Sequence, residues 1–304
     1  MARTPRVVAV FFGRRGAGSF NAAGVTGLSR AAERGGFVPD AVWEPDPARR
    51  AETIAAAAAR ADLIIAHGGQ GEAGVQQVAP RFPSVAFAVT QGRIAGPNIA
   101  CFEVLQEQSA FLAGALAGWW TRSGTVAHLS GERVPPGLRG RAGFAAGLAH
   151  ARPGATLLTG FCGDQHDPGL AGSWTAAQSA AGADLQFAML DGGRPGAVAA
   201  CRAHGLRAIG NVRDWTVEDD VFLASAVADN GVALEAAIAG FLGGRFEDRR
   251  IGLEEPAAVR LALARDVDPA LANRLDALRD AIRSRAIVVP EAYDGPEWRP
   301  AAAA

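Results

Sequence analysis

An apolar run near the N-terminus, Val7-Val8-Ala9-Val10-Phe11-Phe12, leads directly into Gly13-Arg14-Arg15-Gly16-Ala17-Gly18-Ser19-Phe20-Asn21. A buried strand that ends in a glycine-rich turn and a helix N-terminus is where open α/β sheets place their ligands. The turn is not a P-loop, because Gly18 is followed by Ser19-Phe20 and not by a lysine, and the third glycine of a dinucleotide fingerprint falls on Asn21. Its backbone N–H groups, hydroxyl, aromatic ring and amide predict a site for a small polar ligand.

Composition excludes several classes of function. The 304 residues carry a formal net charge of −1, with 49% hydrophobic and 20% charged residues, as in a soluble protein with room for two cores. No basic stripe is present, so nucleic acid is not an expected partner. The sequence contains no lysine, which excludes chemistry by a lysine side chain.

The three cysteines, Cys101, Cys162 and Cys201, are scattered, which predicts neither a disulfide framework nor a metal site. The longest apolar stretch, Ser109 to Trp120, is shorter than the roughly 20 residues of a membrane span, and we predict a buried helix there. The chain as given shows no signal peptide. We therefore expect a periplasmic or membrane-anchored protein if a signal peptide was removed, and a cytoplasmic one if the chain is native as given.

Short apolar runs alternate with helical patterns along the chain. The predicted strands are Val7–Phe12, Val38–Val42, Leu63–Ala66, Val85–Val89, Asn98–Phe102, Thr125–Leu129, Thr156–Phe161, Leu185–Met189, Leu206–Ile209 and Val221–Ala226, and the predicted helices are Asn21–Arg34, Pro47–Arg60, Gly74–Ala79, Glu107–Trp120, Leu138–His150, Leu170–Ala181, Ala197–His204, Gly231–Leu242 and Ala270–Arg283. This alternation predicts doubly wound parallel sheets with helices on both faces.

The alternation runs twice, with a break at Trp119–Gly124. We therefore predict an α/β fold of two lobes joined by a hinge: an N-terminal lobe of residues 1–121 plus 243–304 and a C-terminal lobe of residues 122–242. A tail that returns to the first lobe is typical of binding proteins that close on a ligand.

Several motifs together resemble a known family. They are Gly13 with Ser19-Phe20-Asn21, residues 78–87 (Val-Ala-Pro-Arg-Phe-Pro-Ser-Val-Ala-Phe), Pro97-Asn98-Ile99, residues 107–114 (Glu-Gln-Ser-Ala-Phe-Leu-Ala-Gly), residues 143–147 (Gly-Phe-Ala-Ala-Gly), Asp167-Pro168, Gly182-Ala183-Asp184, Gly192-Gly193 and Ile209-Gly210. In order and spacing they resemble the basic membrane protein family of ABC-transporter substrate-binding proteins, which includes purine-nucleoside-binding lipoproteins. The likeness spans residues 6 to 245.

The resemblance implies a type I periplasmic-binding-protein-like fold, a nucleoside or related heterocycle as ligand, and an ABC permease as partner. Ser19, Phe20 and Asn21 match the first binding loop of the family, and Asp214 resembles a family aspartate. The candidate ligand-binding residues are Ser19, Phe20, Asn21, Gly69, Gln70, Gln91, Phe161, Gln165, Trp174, Asp191, Asn211, Arg213, Asp214, Trp215 and Asp229. No cofactor, metal ligand or catalytic residue is predicted.

The chain also departs from the family pattern. Ala17 and Gln91 stand where acidic residues are usual, Gln165 stands at an aromatic position, and Ala228, followed by Asp229, stands at a lysine position. We infer from these differences that an unmodified purine nucleoside is not the preferred ligand.

Other interpretations of the same residues remain open. Phe20 suits a hydrophobic staple as well as a stacking role, and Ser19 or Asn21 suits a helix cap. The segment Cys162–Asp167 carries a thiol, an imidazole and carboxylates, although residues so close on one loop seldom converge on one atom. Besides a transport receptor, the sequence permits a cytoplasmic ligand sensor of the same fold, or an enzyme acting on a nucleoside-like substrate.

Overall fold

The computed structural model describes residues 3–16 and 18–301. The strands in this part of the chain are β1 (Arg6–Phe12), β2 (Val38–Glu44), β3 (Leu63–His67), β4 (Ala86–Thr90), β5 (Ile99–Val104), β6 (Thr125–Ser130), β7 (Thr156–Phe161), β8 (Leu185–Met189), β9 (Arg207–Val212), β10 (Phe222–Ala228), β11 (Arg249–Ile251) and β12 (Val259–Leu263). The α-helices are α1 (Ser19–Arg34), α2 (Arg50–Ala58), α3 (Glu72–Val78), α4 (Gln106–Trp120), α5 (Pro135–Ala151), α6 (Pro168–Ala180), α7 (Arg194–His204), α8 (Asn230–Leu242) and α9 (Pro269–Arg283).

The first sheet has the strand order β11-β5-β4-β3-β1-β2, and all its pairs are parallel. Its central strands β1, β3 and β4 are mostly apolar because helices cover both faces; residues 7–12 of β1 are all buried. The chain leaves β1 towards one edge and returns to place β3 on the other side. The carboxyl ends of β1 and β3 therefore flank the switch point, where open α/β sheets bind ligands.

The second sheet has the order β12-β10-β9-β8-β6-β7, with β6 and β8 flanking its switch point. The pairs from β7 through β10 are parallel, and β12 pairs antiparallel with β10. The predicted fold class, two α/β lobes built on parallel-dominated sheets, is confirmed.

The structure divides into two compact units, Met1–Val104 with Asp229–Ile251, and Leu105–Ala228 with Gly252–Ala304. These boundaries differ from the predicted ones. The predicted C-terminal lobe held the helix that is α8, but α8 belongs to the first unit, and the predicted N-terminal lobe held α4 and most of the tail, which belong to the second. Only residues 243–251 of the tail return to the first unit, where β11 pairs with β5.

Close helix packing explains the placement of α4 and α8. A Cβ on Gly114 or Gly147 would collide with a backbone carbonyl of the facing helix, so α4 and α5 pack backbone to backbone. In the same way a Cβ on Gly27 would collide with the backbone of Gly231, which brings α8 against α1. These helix–helix contacts depend on which glycines face each other in the folded protein. The spacing of glycines in the sequence does not specify which helices will pair.

Within residues 3–16 and 18–301, none of the helices combines the length and apolar character needed to cross a lipid bilayer. In the same ranges, no three histidine, cysteine, aspartate or glutamate side chains are grouped so that they could hold a metal ion.

Candidate functional site

The ligand edge of the first sheet centres on Phe20. This residue is the second of α1 and follows β1, and its ring packs in a tilted arrangement against the imidazole of His67, with the ring centroids 4.5 Å apart and an interplanar angle of 31°. Phe20 is partly exposed, whereas His67, the last residue of β3, is 1% exposed. The contact between these two rings therefore joins the two strand ends that flank the switch point. Of the two rings, only that of Phe20 reaches solvent.

Hydrogen bonds around His67 tie three loops together. Its Nε2 lies 3.1 Å from the carbonyl oxygen of Phe20, and its Nδ1 lies 3.1 Å from the hydroxyl of Thr90 at the end of β4. The same hydroxyl accepts a hydrogen bond from the backbone N–H of Gly68 (2.9 Å). Burial lowers the pKa of His67 to about 4, so its imidazole is neutral at physiological pH.

The loop after β3 packs too closely for larger residues. Gly68 has φ of 109°, and a Cβ there would collide with the side chain of Gln70 and lie 3.3 Å from the ring of Phe20. A Cβ on Gly69 would lie 3.0 Å from the carbonyl oxygen of Gln91. The predicted residues Gly69 and Gln70 thus lie beside Phe20 at the same edge of the sheet.

Two other predicted ligand-binding residues in this unit have side-chain amides that donate hydrogen bonds within the protein. The Asn21 amide donates to the Phe12 carbonyl oxygen (3.0 Å), which fixes the end of β1. The buried Gln91 amide donates to the Val104 carbonyl (3.1 Å) and to Asn230 Oδ1 (2.6 Å).

Asp229 and Ser19 occupy helix starts in the first unit. The carboxylate of Asp229 accepts from the Gly231 N–H (2.8 Å) at the start of α8 and pairs with Arg30 (3.1 Å). Ser19 is the first residue of α1, whose N-cap is Gly18. Neither Ser19 nor Asn21 is therefore the N-cap residue of α1.

In the second unit, Phe161 ends β7, and two guanidinium groups lie over its ring. The guanidinium carbons of Arg133 and Arg141 are each 4.9 Å from the ring centroid. Arg141 also lies 4.8 Å from the ring of Tyr293 and pairs with Glu297, which accepts from Arg133 at 2.7 and 2.8 Å as well. The C-terminal segment thus covers part of this edge.

The predicted residues Trp174 and Gln165 act in packing and loop geometry. Trp174 makes an edge contact with Trp298, with the ring centroids 5.9 Å apart. The Gln165 carbonyl accepts from the backbone N–H groups of Asp191 (3.1 Å) and Gly193 (2.8 Å), which joins the loops after β7 and β8.

Beyond β9, two arginines lie over the ring of Trp215, as two do over the ring of Phe161. The guanidinium carbons of Arg213 and Arg194 lie 3.8 and 4.4 Å from the ring centroid. Arg194 donates to Asn211 Oδ1 (2.6 Å), and Trp215 Nε1 donates to the Asn211 carbonyl (2.9 Å). Burial lowers the pKa of Arg194 to about 10, and the guanidinium remains charged at neutral pH.

Asp214 and Arg213 form local turn contacts. Asp214 accepts from the N–H (3.0 Å) and the hydroxyl (2.6 Å) of Thr216, and Arg213 pairs with Glu218. The predicted residues of this region therefore lie together, and their polar atoms already have partners within the protein: Asn211, Arg213, Asp214 and Trp215.

The loop after β7 does not assemble a nucleophile. The Cys162 thiol donates to the Asp164 carbonyl (3.2 Å), and burial raises the pKa of that thiol. His166 Nδ1 accepts from the Gly192 N–H (3.4 Å), and Asp167 caps α6. Neither contact activates the thiol towards attack.

Sequence reasoning missed His67, Thr90, Arg141 and Arg194. For His67 a signal was present, since a histidine directly before Gly68-Gly69 stands at a strand end on the ligand edge. The predicted strand stopped at Ala66, and the histidine was left out.

Comparison with known proteins identifies the family. The family model described as Bmp, ABC transporter substrate-binding protein PnrA-like, matches residues 5–290. This chain belongs to the Bmp family. The match takes in β1 through α9, so the assignment covers both units, and Bmp-family proteins are substrate-binding proteins of ABC transporters. No curated protein matches the chain.

Solved structures share the fold of this Bmp-family protein. An ABC transporter solute-binding protein from Aeropyrum pernix K1 is 21% identical, with a TM-score of 0.80 and 95% of each chain covered. One from Conexibacter woesei is 23% identical, with a TM-score of 0.73 and coverage of 94% and 99%. A transcriptional activator of the comK gene from Bacillus halodurans is 18% identical, with a TM-score of 0.77 and coverage of 91% and 96%. Likenesses at these identities show the fold alone.

Proposed function

We propose that this Bmp-family protein binds a small polar ligand with a heterocyclic ring, related to nucleosides, for delivery to an ABC permease, and that its two units close on the ligand. The observation that carries the proposal is the position and the exposure of the Phe20 ring. This is a partly exposed aromatic ring at the switch point of the first sheet, packed against a buried neutral imidazole. An aromatic face fixed in this way suits stacking on a flat ring.

The proposal includes a limit on the ligand. Gln91 is an amide bonded to Asn230 where the family resemblance leads us to expect an acid, and the buried Ala228 stands in place of a lysine. Asp229 pairs with Arg30. These positions supply no acid and lysine pair for a purine nucleoside, and we propose a related heterocycle as the preferred ligand.

Native mass spectrometry of freshly purified protein tests the proposal, followed by identification of any small molecule released on denaturation. A thermal-shift panel of nucleosides and nucleobases then ranks the candidates. Release of a heterocyclic compound, or a shift with one, supports the proposal. No bound compound and no shift across the panel would refute the ligand class, and tight binding of inosine or guanosine would refute the exclusion of purine nucleosides.

A ligand sensor is the second candidate function, favoured by the similarity in fold to the transcriptional activator from Bacillus halodurans. An upstream leader with a lipobox cysteine in the full reading frame would favour transport and a location outside the cytoplasm. Turnover of a bound nucleoside, detected by product analysis, would instead favour an enzyme.

A further inference from the structure

We propose that His67 is a positioning residue for ligand binding: it fixes the carbonyl and the ring of Phe20 through a hydrogen-bond chain of one defined direction. The inference rests on the proposed function only in taking Phe20 as the ligand-stacking ring. Since His67 is 1% exposed and Phe20 is partly exposed, a ligand reaches the phenylalanine and not the histidine. The histidine therefore acts through Phe20.

The direction of the chain follows from the chemistry of its members. A carbonyl oxygen only accepts, so His67 Nε2 carries the hydrogen and donates to Phe20. In a neutral imidazole the other nitrogen is then bare, so Nδ1 accepts from the Thr90 hydroxyl. That hydroxyl keeps a lone pair for the Gly68 N–H. The tautomer of His67 with the hydrogen on Nε2 satisfies all three hydrogen bonds, those from His67 to Phe20, from Thr90 to His67 and from Gly68 to Thr90.

Packing fixes the imidazole ring as firmly as the hydrogen bonds do. The ring of Phe11 makes an edge contact with it, with the centroids 5.3 Å apart, and Phe20 covers it at 4.5 Å. A Cβ on Gly24 of α1 would lie only 2.5 Å from Nε2. The imidazole therefore has no space to rotate, and it transmits the position of β3 and β4 to the segment that carries Phe20.

Two amide substitutions test the positioning role of His67. In His67→Gln the amide nitrogen reaches the place of Nε2 and can still donate to Phe20. In His67→Asn the amide oxygen reaches the place of Nδ1 and can still accept from Thr90, but nothing reaches Phe20. Because Asn also fills the buried site less well than Gln, substitutions at Thr90 separate the lost hydrogen bond from the lost volume.

Hydrogen exchange of the ligand-free, full-length protein measures positioning directly. We expect the amides of residues 18–28 to exchange in His67→Gln within about twofold of the native rate, and in His67→Asn about tenfold faster, the equivalent of one hydrogen bond. Nitrogen-15 spectra of the native protein should show a His67 ring with a protonated Nε2 and a bare Nδ1. Equal exchange in both variants, or the opposite tautomer, would overturn the inference.

Binding is measured with adenosine, inosine, cytidine and uridine as probes. For any that binds the native protein, we expect His67→Asn to weaken affinity about tenfold and His67→Gln to retain it. If none binds the native protein at millimolar concentration, the nucleoside-related ligand class fails, while exchange and the tautomer still decide the role of His67. Equal affinity of both variants for a bound probe contradicts positioning.

Substitutions at Thr90 test the chain without altering His67. Thr90→Val removes the hydroxyl at nearly constant volume, and Thr90→Ser restores it. We expect faster exchange of residues 18–28 in the valine variant and recovery in the serine variant. His128→Asn is the matched control, because His128 is a buried imidazole in the second unit, bonded to the hydroxyls of Thr159 and Ser130. It should lower stability and leave exchange of residues 18–28 unchanged.

Discussion

Two buried histidines predict an acid sensitivity that begins well above the range in which carboxylates titrate. Burial lowers the pKa of His67 to about 4 and that of His128 to about 3, from the ordinary histidine value of 6.5. Between the folded and the unfolded pKa, each histidine is neutral in the folded protein but protonated in the unfolded chain. The free energy of unfolding therefore falls as the pH decreases through 6.5. At pH 5 the loss is about 2 kcal/mol for each histidine, and at pH 7 it is close to zero.

Denaturant titrations at pH 7 and pH 5 measure this loss. His67 lies in the first unit and His128 in the second, so if the units unfold separately each transition loses about 2 kcal/mol, and if they unfold together the loss is about 4 kcal/mol. The carboxylates of Asp40, Asp266 and Glu297, whose pKa values are lowered by paired arginines, contribute mainly below pH 4.5. The loss of stability between pH 7 and pH 5 is therefore due mainly to the two histidines.

Single substitutions supply the control. His67→Gln should remove the dependence from the first unit only, and His128→Gln from the second only, because glutamine does not titrate. Equal stability of the native protein at pH 7 and pH 5 would refute the reasoning, since it would mean that neither imidazole is held neutral by burial.

Three further predictions concern packing, ion pairing and the ligand edge. Gly147→Ala should cost about 1–3 kcal/mol in denaturant unfolding, because its Cβ would collide with the Phe111 carbonyl on α4; an unchanged midpoint would contradict the close packing of α4 on α5. Glu297→Gln should cost about 1–2 kcal/mol, because Arg133 and Arg141 lose their shared carboxylate, and high salt should reduce the difference. Asn21→Ala and Asp214→Ala should each weaken ligand binding in calorimetry about ten- to a hundredfold; unchanged affinity in both would remove them from the site. Asn21→Ala should also lose about 1 kcal/mol of stability with its bond to Phe12.

The strands were predictable because helices cover both faces of each sheet. A continuous apolar run such as Leu63–Ala66 then identifies a strand without any need for alternation. Strand β11 was not predictable in this way, since Arg249-Arg250-Ile251 is short and charged and is a strand only through its pairing with β5. The boundaries of the units differ from the predicted ones for a related reason, because α4 and α8 are apolar helices that pack on their partners through facing glycines.

The candidate site was predictable in place but not in detail. The rule that ligands bind at strand ends placed Phe20, Gly69 and Gln70 at one edge of the sheet, and the structure has them there. It could not show that the Gln91 amide is held by Asn230, which lies 139 residues further along the chain. Hydrogen-bond partners of single amides depend on tertiary contacts that leave no periodic signal in the sequence.

Three of the four aromatic candidates, Phe20, Phe161 and Trp215, differ in what already covers their rings, and this difference ranks them. The fourth, Trp174, makes an edge contact with Trp298. Phe161 and Trp215 each have two guanidinium groups within 5 Å of the ring centroid, so cation–π contacts within the protein already engage their faces. Phe20 instead rests on an imidazole that burial keeps neutral. We expect a ring backed by a neutral partner to attract an incoming heterocycle more strongly than a ring over which guanidinium groups already lie. Of the three rings, Phe20 is the one that the geometry favours for stacking, and the arginine-covered rings serve to fix the strand ends of the second sheet.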